Sequence, residues 1–198
     1  MATSDRLDEL DFDMRVGDGG RHPSVQDVGR LVVDHLVPDH PLVPWAEGLA
    51  SGAIAVELAG YLTGSIDLVA RVCAADSADR FVVADYKTNR LTRPGVVSPV
   101  DAYGPARLVD AMAEHHYPLQ ALLYAVALHR YLRWRAPLAD AGTRVSGAVY
   151  LFVRGMTGPE VQLTNGMPHG VFTWEFSPNL VVRLSDLLAG RPLTGAVR

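Results

Sequence analysis

The chain has 198 residues, 48% hydrophobic and 20% charged, a composition that builds a globular core and excludes a disordered chain. A net charge of −4 gives no global attraction for nucleic acid, so any such contact needs a local basic patch or a positive field from neighbouring domains. The single Cys73 excludes an internal disulfide and a cysteine zinc site and fits a reducing cytoplasm; no apolar run reaches the roughly 18 residues that span a bilayer, and MATSDRLDEL has no signal-peptide pattern.

The first element reads as a strand over 9–16, where Leu10, Phe12 and Met14 alternate with Asp11, Asp13 and Arg15. GDGG at 17–20 is a turn; no strand-to-helix frame or GK[ST] follows to make it a phosphate loop. Ser24 is placed to N-cap a helix over about 25–36, and Pro38, Pro41 and Pro44 end it. A short helix follows at 44–51. Residues 57–72 are strand-like, with breaks expected at Gly60 and Gly64, and FVVADYK at 81–87 is a second strand.

AADSAD at 74–79 is the turn between these two strands. Opposed residues in an antiparallel hairpin have a constant index sum. A sum of 152 centres on residue 76, inside the turn, and it sets Asp67 opposite Asp85 with Cβ atoms roughly 5 Å apart. Like charges so opposed destabilise a sheet unless a cation sits between them. Lys87 lies two residues beyond Asp85, hence on the same face of its strand.

Residues 90–104 form a Pro- and Gly-rich loop. A helix follows over 105–115, and Pro118 opens a longer one to about 135, with Pro137 beyond it. GAVYLFVRG at 147–155 lacks alternation and reads as a strand buried on both faces. VFTWEF at 171–176 is a further strand, and 178–189 a last helix capped by Gly190. This order predicts an α/β fold, a mixed central sheet flanked by helices.

Two carboxylates sharing a face suit Mg²⁺, which takes oxygen ligands and keeps several waters. A neighbouring ammonium orients water or stabilises charge on a phosphate, so the chemistry implied is phosphodiester hydrolysis. D-x-K alone mostly marks surface strand ends; the opposed Asp67 is what singles it out. Gln120 and Tyr124, at i and i+4, share a face of the long helix, and alone they read as ordinary packing. Arg90 and Arg93, on the loop after the second strand, are candidate DNA contacts. Asn89 is expected to fix that loop by a local bond. Arg130, Arg133 and Arg135 complement the dipole at the long helix's end. His115 and His116 read as a solvated helix-end pair, His129 as a packing or buried hydrogen-bonding residue rather than a ligand, and Trp45, Trp134 and Trp174 as core or interface.

Four blocks together, GYLTGSIDLV, VVADYKTNRL, HHYPLQALLYAVALHRYLRWR and GAVYLFVRGM, resemble the RecB-type C-terminal nuclease domains of the PD-(D/E)xK superfamily. The resemblance covers nearly the whole chain and implies a restriction-endonuclease-like fold over 1–198. By that resemblance Asp67, Asp85 and the backbone carbonyl of Tyr86 are metal ligands, Lys87 is the catalytic lysine, and Gln120 and Tyr124 form the Q-x-x-x-Y motif tied to the active site and DNA. It implies a Mg-dependent deoxyribonuclease of the exodeoxyribonuclease V type, cytoplasmic, acting in DNA repair and recombination at double-strand breaks. Its partners are then DNA, RecC-like and RecD-like subunits, and RecA. The family also has a histidine ligand on a helix upstream of the first strand. His22, His35 and His40 follow that strand and do not match it, so the chain reads as truncated before its upstream helical part. This leaves a second reading, a catalytically incomplete docking module for RecA or partner subunits.

Overall fold

The computed structural model describes residues 5–17, 23–54, 58, 60–73, 79–92, 100–136, 144–158, 161–177 and 179–191. The expected turns at 18–20 and 74–78, and most of the loop at 93–99, including Arg93, lie outside them.

Strand β1 (Arg6–Val16) pairs antiparallel with β2 (Gly60–Cys73), which pairs antiparallel with β3 (Asp79–Lys87). β3 runs parallel to β4 (Val145–Phe152), and β4 pairs antiparallel with β7 (Val171–Glu175). The result is one mixed five-stranded sheet in the order β1-β2-β3-β4-β7, as expected from the alternation of patterns. A separate hairpin of β5 (Leu163–Thr164) and β6 (Met167–Pro168) turns at Asn165 and Gly166, both at positive φ, as a tight two-residue turn requires.

Helix α1 (Val25–Val33) is capped by Ser24 through a full capping box with Asp27, a feature worth about 1 kcal/mol. It ends three residues before the expected boundary, at Asp34. Helix α2 (Val43–Ser51) packs on it so closely that a Cβ on Gly29 would lie 2.4 Å from the Ala50 nitrogen. β2 runs unbroken through Gly64, contrary to expectation. The missing side chain makes room for the Phe12 ring of β1, whose Cζ would lie 2.9 Å from an added Cβ.

A parallel strand pair needs a crossover, and here the crossover from β3 to β4 carries α3 (Pro105–Glu114) and α4 (Tyr117–Arg135). α4 is buried on most of its circumference, from Leu119 and Leu122 to Leu128 and Leu132, because it packs against the sheet, α3 and α5 (Leu180–Leu188) together. Trp45 and Trp174 are in the core, whereas Trp134 is 73% exposed. This crossover sets the first half of α4 beside the C-terminal end of β3, where the polar residues converge.

Candidate active site

The β2–β3 ladder follows the expected register, Leu68 opposite Ala84 and Val69 opposite Val83, and its last bridge on this side is Leu68–Ala84. Beyond it the strands part. β2 from Gly60 to Ile66 pairs with β1, while β3 continues with β4 as far as Lys87–Phe152. Asp67 and Asp85 therefore stand at the mouth of a fork. The Tyr86 N–H, with no β2 carbonyl to meet, donates to Asp67 Oδ2 at 2.9 Å. A strand residue projects its N–H and C=O from the same edge, so the Tyr86 carbonyl also opens on the Asp67 side. The Tyr86 side chain points away and is 49% exposed. Glu9 falls between the Asp8–Leu68 and Leu10–Ile66 bridges, at the level of Asp67, with a φ of 55°.

Asp85 is 4% exposed. Burial pushes its carboxyl above the usual carboxylate range; Lys87 pulls it back and Asp67 adds to the rise. Lys87 Nζ lies 2.7 Å from Asp85 Oδ2, as the shared strand face requires. The ammonium is the ion-pair partner of this buried oxygen. Lys87 also donates to Gln120 Oε1 at 2.9 Å. Gln120 Nε2 donates to the Tyr124 hydroxyl at 2.9 Å, and the Tyr150 hydroxyl donates to Gln120 Oε1 at 3.2 Å. Gln120 thus joins Lys87, Tyr124 and Tyr150, beyond the ordinary packing its spacing alone suggested. Tyr124 meets Phe12 edge-on at 5.8 Å, the same ring that Gly64 admits, so β1, β2 and α4 all set its position. Burial raises the phenol pKa of both Tyr124 and Tyr150, with the Asp85 charge adding to it, so both stay protonated donors.

Two aromatic rings complete the surroundings of Lys87. Its Nζ sits 4.0 Å from the Tyr117 ring centroid and 5.3 Å from that of Tyr150, and the two rings stack at 5.7 Å. Sequence reasoning assigned neither tyrosine a role. The available signal for Tyr117 was its position one helical turn before Gln120.

A family model for the PD-(D/E)XK nuclease superfamily matches residues 29–183. The chain belongs to that superfamily. It is 50% identical over 190 residues to the RecBCD enzyme subunit RecB of Mycolicibacterium smegmatis, covering 93% of this chain and 17% of the relative. It is 48% identical to RecB of Mycobacterium tuberculosis H37Rv over the same length, and 33% identical over 141 residues to RecB of Escherichia coli K12. The chain spans about 17% of the length of the first of these relatives. The chain's D-x-K, Asp85-Tyr86-Lys87, falls inside the matched region.

The donor set at the fork fits a hard divalent cation. Asp67 and Asp85 supply carboxylate oxygens, Asp85 from a buried position against the Lys87 ammonium. Among the described residues no group of three His, Cys, Asp or Glu side chains is assembled. Two carboxylates, a carbonyl and water form the kind of shell Mg²⁺ accepts, whereas a structural zinc site needs more protein ligands.

The loop after β3 is tied down from several sides. The Tyr103 hydroxyl donates to the Asn89 carbonyl at 2.9 Å, and Arg154 Nε donates to the Thr88 carbonyl at 2.8 Å. Contrary to the local bond expected from sequence, among the described residues the Asn89 Oδ1 accepts from the Tyr117 hydroxyl at 3.0 Å, linking the loop to the ring beneath Lys87. Gly155 lies against Tyr103, where a Cβ would meet the Tyr103 Cβ at 2.4 Å. Arg90 is exposed, with Nε on Thr92 Oγ1 at 3.1 Å. His115 is exposed and stacks on Tyr117 at 5.2 Å, while His116 adopts a left-handed backbone at the start of α4. His129 is buried, in keeping with a packing role.

Proposed function

We propose that the chain is a Mg²⁺-dependent DNA nuclease domain, spanning 1–198, of a RecB-like helicase–nuclease. It hydrolyses phosphodiester bonds during double-strand break processing, with exodeoxyribonuclease V chemistry. The observation that carries this reading is the buried Asp85–Lys87 pair, aimed by Gln120 and two tyrosine rings at the fork where Asp67 stands.

A buried ion pair is weak support for stability, since desolvation offsets most of the Coulomb gain. A docking role alone, for RecA or for partner subunits, gives no reason to hold such a pair with two further tyrosines. Asp67, Asp85 and the Tyr86 carbonyl would hold the metal, which when bound would supply Lewis-acid polarisation of the phosphate and lower the pKa of a water. Tyr86 N–H fixes one Asp67 oxygen and so orients the carboxylate toward the cleft. Lys87 donates from Nζ to a phosphate oxygen or to the attacking water, where charge develops. Gln120 keeps that ammonium from swinging away, and Tyr124 donates its hydroxyl proton at the substrate side of the same helix face. Arg90, and Arg93 beyond it, contact the DNA backbone as it passes the loop. In the whole protein, RecC-like and RecD-like subunits and RecA are the partners.

The test is cleavage of linear single-stranded DNA with Mg²⁺, comparing the chain with Asp85→Asn. Metal-dependent cleavage that Asp85→Asn abolishes supports the reading. Cleavage that survives Asp85→Asn, or that proceeds equally with chelator, overturns it.

A further inference from the structure

Four arginines from three separate parts of the chain line one cavity of about 450 Å³. Arg15 comes from the end of β1, Arg130 and Arg133 from the last turns of α4, and Arg191 follows α5. None of the described lining residues is acidic.

Arg130 is the anchor. Its Nε donates to Ser185 Oγ at 3.2 Å, one terminal nitrogen to the Ser185 carbonyl at 3.0 Å, and the other to the Arg15 carbonyl at 3.3 Å. These three acceptors are neutral. Among the described residues Arg130 has no ion pair; its burial and then the nearby Arg191 make its charge harder to hold, and the Asp186 carboxylate offsets them in part. A half-buried guanidinium facing like charge is costly unless an anion comes to it. Arg133 is exposed and has no ion pair or hydrogen bond among the described residues. Asp186 engages Arg191 at 3.0 Å, which leaves the cluster strongly positive on a chain whose net charge is −4. Arg135 is not part of it and lies over the Trp134 ring at 5.6 Å. The helix dipole does not account for the arrangement, because Arg15 is on a strand and Arg191 follows a different helix.

We propose that this cavity is a second phosphate-binding site, which holds the backbone of a DNA strand at a distance from the cut phosphodiester. Guanidinium forks match phosphate oxygens in pairs, and here the Arg130 fork is held in place by neutral bonds before the anion arrives. Arg130 and Arg133 follow Gln120 on α4 by about 15 and about 20 Å of helix rise. At about 3.4 Å per stacked nucleotide, that distance corresponds to roughly four to six nucleotides. Ten and thirteen residues also turn Arg130 and Arg133 off the Gln120 face, so a strand that touches both ends of α4 wraps part-way around it and is at least this long. The identity of the polyanion rests on the nuclease reading; the existence of the anion site does not.

The experiment measures binding of a twelve-residue oligothymidylate and of a trinucleotide, without divalent metal and over a range of salt. The proteins are the unmodified chain, Arg133→Glu and Arg191→Gln, each checked for an unchanged melting temperature. Arg133→Glu is expected to weaken the twelve-mer about tenfold and to flatten its salt slope by roughly 0.7 or more per lost phosphate contact, leaving the trinucleotide unaffected. Arg191→Gln has a smaller effect in the same direction. Unchanged affinity and slope for the twelve-mer in both variants overturn the proposal. So does a polyglutamate peptide that binds more tightly than the twelve-mer and loses that binding in Arg133→Glu, since the cavity then serves an acidic protein segment. Because no metal is present, the outcome is independent of cleavage; failure of the nuclease reading shows instead as an absence of Mg²⁺-dependent cutting by the unmodified chain.

Discussion

Replacing Tyr117 by leucine and by phenylalanine separates the ring beneath Lys87 from the hydroxyl at its far end. The Tyr117 ring centroid is 4.0 Å from Nζ, within the range where a desolvated cation–π contact contributes about 0.5–2 kcal/mol. The Lys87 side chain is only 12% exposed, which places the contact toward the upper part of that range. If the ring aims the ammonium at the phosphate, its loss appears in the chemical step. At about 1.4 kcal/mol per tenfold, Tyr117→Leu lowers the single-turnover cleavage rate by roughly 2- to 30-fold. Tyr117→Phe keeps the ring and gives up only the hydroxyl bond to Asn89, costing about 0.5–1.5 kcal/mol of stability and little of the rate. The assay is single-turnover cleavage at saturating Mg²⁺, well below the melting temperature of both variants. A Leu variant that cuts at the unmodified rate, or a Phe variant that loses as much as Leu, would refute the positioning role.

The Asp85 carboxyl is held above its ordinary range chiefly by burial, so the native state keeps a proton that the unfolded chain has already released. Stability from this group is greatest below the unfolded pKa and declines as pH rises toward the folded one. The melting temperature of the metal-free chain minus that of Asp85→Asn therefore falls with rising pH across the acid range, while Mg²⁺ affinity rises; calorimetry reads both, and a difference independent of pH contradicts the assignment. Gly64→Ala forces the Phe12 ring off its place against Tyr124 and costs about 1 kcal/mol or more, read as a lower melting temperature together with slower cleavage. Ser24→Ala removes the α1 capping box far from the fork, so it lowers stability by about 1 kcal/mol and leaves the cleavage rate unchanged.

Much of this arrangement was legible where a local rule decides it. The register of β2 on β3 followed from the position of the turn, because a short connection leaves few ways to pair. Pro118 marked the start of α4 because proline fits only the first turn of a helix. The rule failed at Gly64, where a glycine that weakens an isolated strand instead admits an aromatic ring from the next one. The Tyr117 and Tyr150 rings were hidden for a related reason: aromatic residues on a buried helix and strand look like core until the lysine is placed between them. The arginine cavity was least legible, since Arg15 and Arg191 are brought beside α4 only by the packing of β1 and α5. Nor did spacing suggest that Asn89 would reach Tyr117 across the fork.

The central claim is that Lys87 acts on a phosphodiester at a metal centre built on Asp67 and Asp85. The most direct measurement pairs Mg²⁺ binding with single-turnover cleavage of single-stranded DNA in Lys87→Ala. The account predicts that Lys87→Ala still binds Mg²⁺, because both carboxylates are in place, while cleavage falls by about two orders of magnitude or more, as loss of a group that stabilises developing charge requires. Cleavage by Lys87→Ala at the unmodified rate would contradict it.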